Sequence, residues 1–157
     1  MIIEGKSVTG EILERADVCV VGSGAGGAPF AYEMAAAGKK VVMLEAGSYH
    51  PSHTFNERED DMVGRLYVDQ GNQGPKDASI TLYQGKCVGG STVINAMICF
   101  RTPDYVLEEW GKDHGIEGMS PAELAPFFER VEQTVSAKEN STAEINVNSQ
   151  KMAEGCK

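Results

Sequence analysis

Residues 18–47 read VCVVGSGAGGAPFAYEMAAAGKKVVMLEAG. Asp17–Val21 is an apolar run typical of a β-strand, and Gly24–Ala37 is rich in alanine, which favours a helix. Gly38 is placed to end that helix, and the apolar run Lys40–Leu44 predicts a second, fully buried strand. The order of strand, glycine turn, helix and strand predicts a βαβ unit with a parallel strand pair.

The turn between the first strand and the helix carries the pattern GxGxxG. Gly22 permits a tight turn, Gly24 lets a pyrophosphate approach the backbone, and Gly27 lets the helix pack closely on the strand. The helix N-terminus adds free N–H groups and a partial positive charge. Glu45 follows Gly24 at about the 20-residue spacing expected of an acid that binds the adenosine ribose and disfavours a 2′-phosphate. The candidate dinucleotide-binding residues here are Gly22, Ser23, Gly24, Ala25, Gly26, Gly27, Glu45 and Ala46.

This pattern leaves NAD and FAD open, because both present an ADP moiety in the same way. The alternative interpretation is a structural glycine turn that binds nothing.

The composition favours one globular domain, since the chain has 157 residues and 41% of them are hydrophobic. The net charge of -9 argues against a nucleic-acid partner, which needs a basic face. No apolar run reaches the ~18–20 residues of a transmembrane segment. The acidic N-terminus lacks the basic and apolar regions of a signal peptide.

The four cysteines show no spacing typical of metal ligands, and Cys19 falls inside a predicted buried strand. Free thiols in a reducing compartment are the preferred interpretation, so we predict a cytoplasmic location. His50 and His53 lie outside any predicted helix and make a poor metal pair, so we predict no metal site.

The segments around the βαβ unit carry weaker patterns. We expect a loosely patterned lead-in at residues 1–15, a long connection at residues 47–79 and a short strand at Ile80–Tyr83. Residues 137–148 are polar and loop-like, and Ser149–Cys156 predicts the first turns of a helix.

The second half of the chain predicts several helices. Residues 90–95 predict a short helix, followed by an extended run at Met97–Phe100, and Pro103–Gly111 predicts another helix. Ser120–Glu123 carries a capping box with proline at the first helical position. Because proline breaks a helix interior, we expect a short turn there and a new helix that starts at Pro126.

Residues 85–104 read GKCVGGSTVINAMICFRTPD. Gly89 and Gly90 allow close backbone approach, and Ser91 and Thr92 can cap the short helix that follows. The stretch resembles the flavin-binding signature of the glucose–methanol–choline (GMC) oxidoreductases, approximately GKxLGGSSxxNxMxYxRxxxxDYDxW. The matching positions are Gly85, Lys86, Gly89, Gly90, Ser91, Asn95, Met97, Arg101 and Trp110.

The resemblance extends over most of the chain, from about Asp17 to Lys157. The first glycine cluster with Glu45–Gly47 matches the family's N-terminal fingerprint, and LxPFF around Pro126 resembles a helix found in the family. The resemblance departs from the pattern after Tyr105, where Val106 replaces an aspartate.

The family resemblance implies an α/β fold, a Rossmann-like FAD-binding βαβ unit with long insertions. It is incomplete relative to the full family fold, so we expect the N-terminal portion of a longer enzyme. Residues 16–157 would be the N-terminal part of the FAD-binding domain. Within them, residues 103–157 would be a mostly helical segment leading toward a substrate domain.

The resemblance also implies how FAD would lie, with its ADP half over the first glycine cluster. The turn Gly89–Ser91 would approach the pyrophosphate and the flavin, and Asn95–Met97 would run beside the isoalloxazine. Ile94 stands where some family members carry a histidine bonded to the flavin, so the expected FAD is non-covalent. The candidate residues on this side are Lys86, Val88, Gly89, Gly90, Ser91, Asn95, Ala96 and Met97.

The implied activity is oxidation of the CH–OH group of a small-molecule alcohol, with hydride transfer to the flavin. The family's catalytic histidine lies near the C-terminus of a longer chain, and His50, His53 and His114 match no such motif. We therefore assign no catalytic residue and expect the chain alone to be inactive. The closing NSQKMAEGCK weakly resembles the branch acting on long-chain alcohols.

Two alternatives remain. One is an NAD-dependent dehydrogenase or another dinucleotide-binding flavoprotein, which leaves residues 85–104 unexplained. The other is a catalytically inactive FAD-binding fragment.

Overall fold

The computed structural model describes residues 2–141 and 144–156. Thr142 and Ala143, which belong to the predicted polar loop, lie outside the described residues, as do the two terminal residues. The chain divides into two compact units, Met1–Ala96 and Met97–Lys157.

The first unit is built on the predicted βαβ element. Strand β1 (Val18–Val21) and strand β2 (Val41–Leu44) are parallel, and helix α1 (Gly27–Ala36) connects them. Val18 pairs with Val41 at the start of this ladder. The α/β prediction is confirmed for this element.

Helix α1 begins at Gly27 and ends two residues before Gly38. Residues 24–26 form a turn, so the regular helix begins three residues later than predicted. At the other end Gly38 has φ +79, and its amide donates to the carbonyl oxygen of Ala35 at 2.9 Å. Glycine adopts this left-handed conformation without steric cost, which explains why the helix stops there, with Ala36 as its last residue, one residue before the predicted end.

The prediction of fully buried strands is wrong. Val20 is buried, but Val21 on the same strand is 82% exposed, and Leu44 at the end of β2 is also exposed. Cys19, expected in a buried strand, is exposed as well. Side chains alternate between the faces of a sheet, and α1 packs on one face of this two-stranded sheet. The side chains of the opposite face therefore meet solvent.

The long connection contains a helix that sequence patterns did not predict. Helix α2 spans Glu59–Leu66 and carries three acidic residues in its first turn, which favour a helix N-terminus. Short 3-10 turns lie at Ser52–Thr54 and Val68–Gly71. Leu66 anchors α2 because its side chain is almost completely buried.

The predicted strand Ile80–Tyr83 is wrong. Within the described residues, Leu82 forms an isolated bridge with Gln73, and no ladder extends from it. The Tyr83 ring packs edge-on against Tyr67, with ring centroids 5.7 Å apart. This segment is held by a side-chain contact and one bridge rather than by a sheet.

The second unit contains helices α3 (Asp104–His114), α4 (Pro121–Val135) and α5 (Val147–Gly155). Helix α3 confirms the predicted helix and extends it to His114, and the side chain of Leu107 is only 2% exposed.

The ends of α5 differ slightly from the sequence-based expectation. The helix begins two residues before the predicted start, because Asn146 caps it by accepting a hydrogen bond from the amide of Ser149 at 2.9 Å. It ends at Gly155, with Cys156 as the C-cap residue.

The capping box of α4 is confirmed. The hydroxyl of Ser120 accepts from the amide of Glu123, and the Glu123 carboxylate accepts from the amide of Ser120 at 3.1 Å. The predicted break at Pro126 is wrong, because α4 runs through it. Pro126 is the sixth residue of the helix, so it lacks the amide that would donate to the carbonyl oxygen of Ala122, and the helix continues across this one missing bond.

The predicted extended run Met97–Phe100 is wrong at its first residue. Met97 has φ +56, and the run forms no strand in the part of the chain that the structure describes. Its three large apolar side chains are exposed, so no burial pattern of a strand is established.

Candidate functional site

An open cavity of about 690 Å³ lies in the first unit, where the chain leaves the two parallel strands. This position, beyond the carboxyl ends of parallel strands, is where α/β folds bind ligands. The lining residues come from both glycine clusters, the end of β2 and the long connection. They are Gly22, Gly24, Ala25, Glu45, Ala46, Val68, Gln84, Gly85, Lys86, Gly90, Ser91, Thr92 and Asn95.

The first glycine cluster forms the predicted tight turn. Gly22 has φ +91, and its amide donates to the carbonyl oxygen of Leu44 at 2.7 Å. A Cβ on Gly27 would lie 2.0 Å from the carbonyl oxygen of Gly22, so α1 approaches β1 as only glycine permits. A Cβ on Gly24 would meet no atom within 4 Å, which leaves its face of the turn open to the cavity.

The second glycine cluster is held beside the end of β2. Ser48 and Cys87 form a parallel bridge, and the amide of Val88 donates to the carbonyl oxygen of Ser48 at 3.1 Å. A Cβ on Gly47 would lie 2.2 Å from the amide nitrogen of Cys87. The GMC-like segment therefore runs beside residues 47–48, which follow β2 and Glu45.

The two glycine clusters touch through their backbones. Gly90 has φ +57, and a Cβ on it would lie 3.1 Å from the Cα of Gly24. A Cβ on Gly85 would lie 2.5 Å from the carbonyl oxygen of Gly90. Glycine at these positions lets two chain segments line one cavity with main-chain atoms.

The predicted capping role of Ser91 and Thr92 is wrong. The short 3-10 turn Gly90–Val93 begins after Gly89, and no side chain caps it. The Ser91 hydroxyl instead accepts a hydrogen bond from the amide of Gly85 at 3.0 Å, and the Thr92 hydroxyl donates to the carbonyl oxygen of Gly89. The left-handed Gly89, with φ +99, starts the turn, because the chain reverses there.

Ser23 and Glu45 form the polar centre of the site. The amide and hydroxyl of Ser23 both donate to Oε2 of Glu45, at 2.9 and 2.6 Å. The amide of Gly47 donates to Oε1 of Glu45 at 2.7 Å. The hydroxyl of Ser23 also accepts from the amide of Gly89 at 2.9 Å, although the two residues are 66 positions apart.

Opposing effects act on the pKa of Glu45. Burial acts to raise the pKa, and hydrogen bonds from Ser23 and from the amides of Gly47 and Ala46 act to lower it. The hydrogen bonds outweigh burial, so the net pKa is below its ordinary value. Glu45 is therefore an anion at neutral pH.

Burial and the neighbouring Glu45 raise the pKa of the Cys87 thiol, which keeps it protonated and poorly nucleophilic.

The cavity contains nine of the predicted site residues. They are Gly22, Gly24, Ala25, Glu45, Ala46, Lys86, Gly90, Ser91 and Asn95. Ser23 lies beneath the cavity, with a side chain that is buried and hydrogen-bonded. The predicted residues outside the lining are Gly26, Gly27, Val88, Gly89, Ala96 and Met97. Met97 belongs to the second unit and is 87% exposed.

Four lining residues were not among the candidates: Val68, Gln84, Gly85 and Thr92. Gly85 and Thr92 lie within the second glycine cluster, and Gln84 directly precedes it. All three could have been predicted by including every residue of that motif and its immediate neighbour. Val68 follows α2 in the long connection and carried no local signal.

The motif residue Arg101 makes its contacts within the second unit. Its guanidinium donates two hydrogen bonds to the carboxylate of Glu132, at 2.7 and 2.6 Å. It also lies over the ring of Phe128, 5.8 Å from the centroid. The hydrogen bond from Arg101 lowers the pKa of Glu132. This contact links the segment before α3 to α4.

None of the three histidines lines the cavity. His50 and His53 lie in the long connection, and His114 is the last residue of α3. Across residues 2–141 and 144–156, no group of three or more His, Cys, Asp or Glu could hold a metal ion. Over the same residues, no helix is both long and apolar enough to cross a membrane.

The residues present fit the ADP part of a dinucleotide. The open face of Gly24 leaves room for a phosphate against the backbone, and Glu45 supplies an ionised acceptor suited to a ribose hydroxyl. Lys86 lies at the same cavity and carries the charge opposite to that of a pyrophosphate.

Two family models match the chain in succession. Residues 17–56 match a family described as an FAD binding domain, and residues 62–157 match a family described as GMC oxidoreductase. The first match contains the first glycine cluster, and the second match contains the second glycine cluster.

Curated relatives support the same assignment. An uncharacterized GMC-type oxidoreductase of Sinorhizobium fredii is 36% identical over 85% of this chain and 26% of its own length. Two long-chain-alcohol oxidases of Arabidopsis thaliana are 37% and 34% identical over 74% and 90% of this chain. The chain spans 16% and 19% of the length of these two oxidases. It belongs to the GMC oxidoreductase family, whose cofactor is FAD.

Proposed function

We propose that this chain is the FAD-binding N-terminal part of a flavoprotein that oxidises the CH–OH group of an alcohol. The observation that carries the proposal is the meeting of both glycine clusters at one cavity, joined by the hydrogen bond between Gly89 and Ser23. A dinucleotide that bridges two such clusters has its phosphates near main-chain atoms of both.

Each lining group has a defined task in this proposal. The backbone at Gly24 and Gly90 approaches the pyrophosphate, and Lys86 offsets its negative charge. Glu45 accepts a hydrogen bond from the adenosine ribose, and Asn95 with Ala96 and Met97 runs toward the flavin. When bound, FAD supplies the acceptor for the hydride of the alcohol carbon.

We propose a long-chain alcohol as the substrate class. The support is the similarity to two relatives whose names describe them as long-chain-alcohol oxidases. The alcohol-binding groups and the proton acceptor belong to the whole enzyme, and none of His50, His53 and His114 is proposed for that role. We therefore expect these 157 residues to bind FAD without turning over an alcohol.

The bound FAD is proposed to be non-covalent, because Ile94 offers no atom that could bond to the flavin. Acid precipitation of the flavin-loaded protein tests this point. All of the flavin is expected in the supernatant, and yellow precipitated protein would contradict the proposal.

Ligand titration of the full chain tests the main proposal. Calorimetry with FAD, FMN, ADP and NAD should give the tightest binding for FAD, weaker binding for ADP and the weakest for FMN, because most of the proposed contacts are to the ADP half. Preference for NAD over FAD would favour the dehydrogenase alternative. Anaerobic mixing of the loaded chain with a long-chain alcohol should leave the flavin absorbance unchanged, and bleaching would contradict the expected inactivity.

A further inference from the structure

We infer that Ser23 is a positioning residue that joins the Glu45 carboxylate and the Gly89–Gly90 backbone into one preformed unit, without itself contacting the cofactor. The inference rests on the proposed function, because it concerns how the dinucleotide site is held in shape. It changes the role of Ser23 from a predicted cofactor contact to an internal tie.

The burial of Ser23 excludes it from the cavity surface. Its residue is only 6% exposed, and the lining of the cavity includes its neighbours Gly22 and Gly24 but not Ser23. A cofactor lying over this turn would therefore meet the flanking glycines, with the serine side chain beneath them.

The polar atoms of Ser23 already have partners inside the protein. The amide and the hydroxyl hydrogen are both donated to Oε2 of Glu45, at 2.9 and 2.6 Å. The hydroxyl oxygen accepts from the amide of Gly89 at 2.9 Å. Having no remaining hydrogen to donate, the side chain cannot offer one to a phosphate oxygen.

These bonds set the position of two groups that the cofactor is proposed to touch. Glu45 is held from one side by Ser23 and from the other by the amide of Gly47, at 2.7 Å from Oε1. Gly89 is held directly before Gly90, whose missing Cβ brings the backbone against Gly24. Removing the Ser23 hydroxyl would take away one of the two hydrogen bonds to Oε2 of Glu45 and, at the same time, the acceptor of the Gly89 amide.

The Ser23 hydrogen bond also favours the ionised form of Glu45. Burial raises the pKa of this carboxyl and the bond from Ser23 lowers it, so the net pKa is below its ordinary value. The other charged or titratable side chains of residues 85–90 are those of Lys86 and Cys87, and burial together with the neighbouring Glu45 raises the pKa of the Cys87 thiol. The loss of FAD affinity as the pH falls, which we call the acid limb of FAD binding, thus measures the protonation of Glu45.

The test is FAD titration of the full chain across acid pH for wild type and Ser23→Ala. At neutral pH we expect roughly ten-fold weaker binding by Ser23→Ala, since it loses bonds to a charged group. We also expect its affinity to fall at a higher pH than that of wild type, because the pKa of Glu45 rises. The matched control is Ser52→Ala, an exposed serine in the long connection, which should follow the wild-type curve.

A double-mutant cycle separates positioning from direct contact. In a Glu45→Gln background, the further change Ser23→Ala should cost much less FAD affinity than it does alone, because the two residues act through one hydrogen-bonded unit. Equal losses in both backgrounds, together with an unshifted acid limb, would overturn the inference. If Ser23→Ala does not fold, Ser23→Cys is the substitute, because a thiol has nearly the volume of the hydroxyl group and is a weaker hydrogen-bond donor. Ser23→Cys should also move the acid limb of FAD binding to higher pH.

The outcomes for wild type remain distinct from those of the variants. Failure of wild type to bind FAD at any pH would contradict the proposed function itself. Binding by wild type with unchanged binding by Ser23→Ala would contradict only the role assigned to Ser23.

Discussion

The carbonyl oxygen of Gly22 lies only 2.0 Å from the position that a Cβ of Gly27 would occupy. The same Cβ would also lie 3.1 Å from Cγ1 of Val20, the buried side chain of β1. The start of α1 is therefore pressed against both the end of β1 and the turn that follows it. The dinucleotide turn and the packing of the helix depend on the same absent side chain.

Gly27→Ala should destabilise the chain by about 3 kcal/mol, because its Cβ meets backbone atoms that cannot rotate away. Thermal unfolding without ligand measures this effect. The control is Gly26→Ala, which meets no atom within 4 Å and has helical φ and ψ of -88 and -46. This variant should be neutral or slightly more stable, and equal losses for both variants would contradict the steric explanation.

Gly24→Ala should separate binding from folding. A Cβ at Gly24 meets no protein atom within 4 Å but projects from a residue that lines the cavity. We expect unchanged unfolding of the ligand-free chain and at least about ten-fold weaker FAD binding, because the methyl group occupies space proposed for the pyrophosphate. Undiminished FAD affinity would place the phosphates elsewhere.

Lys86→Met should weaken FAD binding by about three- to ten-fold and reduce its dependence on salt. Lys86 is the one cationic side chain among the described residues that line the cavity. Titrations at low and high ionic strength measure both effects. Lys76→Met removes an equal charge from an exposed turn outside the lining and should leave both unchanged. A salt dependence equal to that of wild type would contradict the role of Lys86.

Pro126→Ala should stabilise the second unit by roughly 1–3 kcal/mol, because it restores an amide donor inside the continuous helix α4. Denaturant unfolding followed by helical circular dichroism measures the change. The matched control is Pro121→Ala at the first position of the same helix, where the amide has no helical partner. Pro121→Ala should give little change. A loss of stability in Pro126→Ala would mean that its ring makes necessary contacts.

Local sequence predicted those elements whose causes lie within a few residues. Gly38 ends α1 through its own positive φ, and Ser120 caps α4 by bonding to the third residue of that helix. The glycine turn at Gly22 and the following helix were also predicted from sequence, because the GxGxxG pattern specifies the positions where a Cβ would clash.

Local sequence failed where the outcome depended on what packs nearby. The apolar strand residue Val21 reads as core, yet it is exposed because α1 packs on the opposite face of the sheet. Pro126 reads as a helix break, yet α4 continues across the one amide that it lacks. Helix α2 was hidden by a glycine in its interior and is anchored by the burial of Leu66.

The sequence alone establishes the βαβ order, the GxGxxG turn and the acid after β2, because each depends on near neighbours or on a fixed spacing. Tertiary structure alone decides that Gly90 approaches Gly24 and that the Ser23 hydroxyl forms hydrogen bonds with both Glu45 and Gly89. Those contacts join segments 22 and 66 residues apart in the chain. No local pattern encodes them, because a hydroxyl group acquires its partners only when the folded backbone brings them within hydrogen-bond distance.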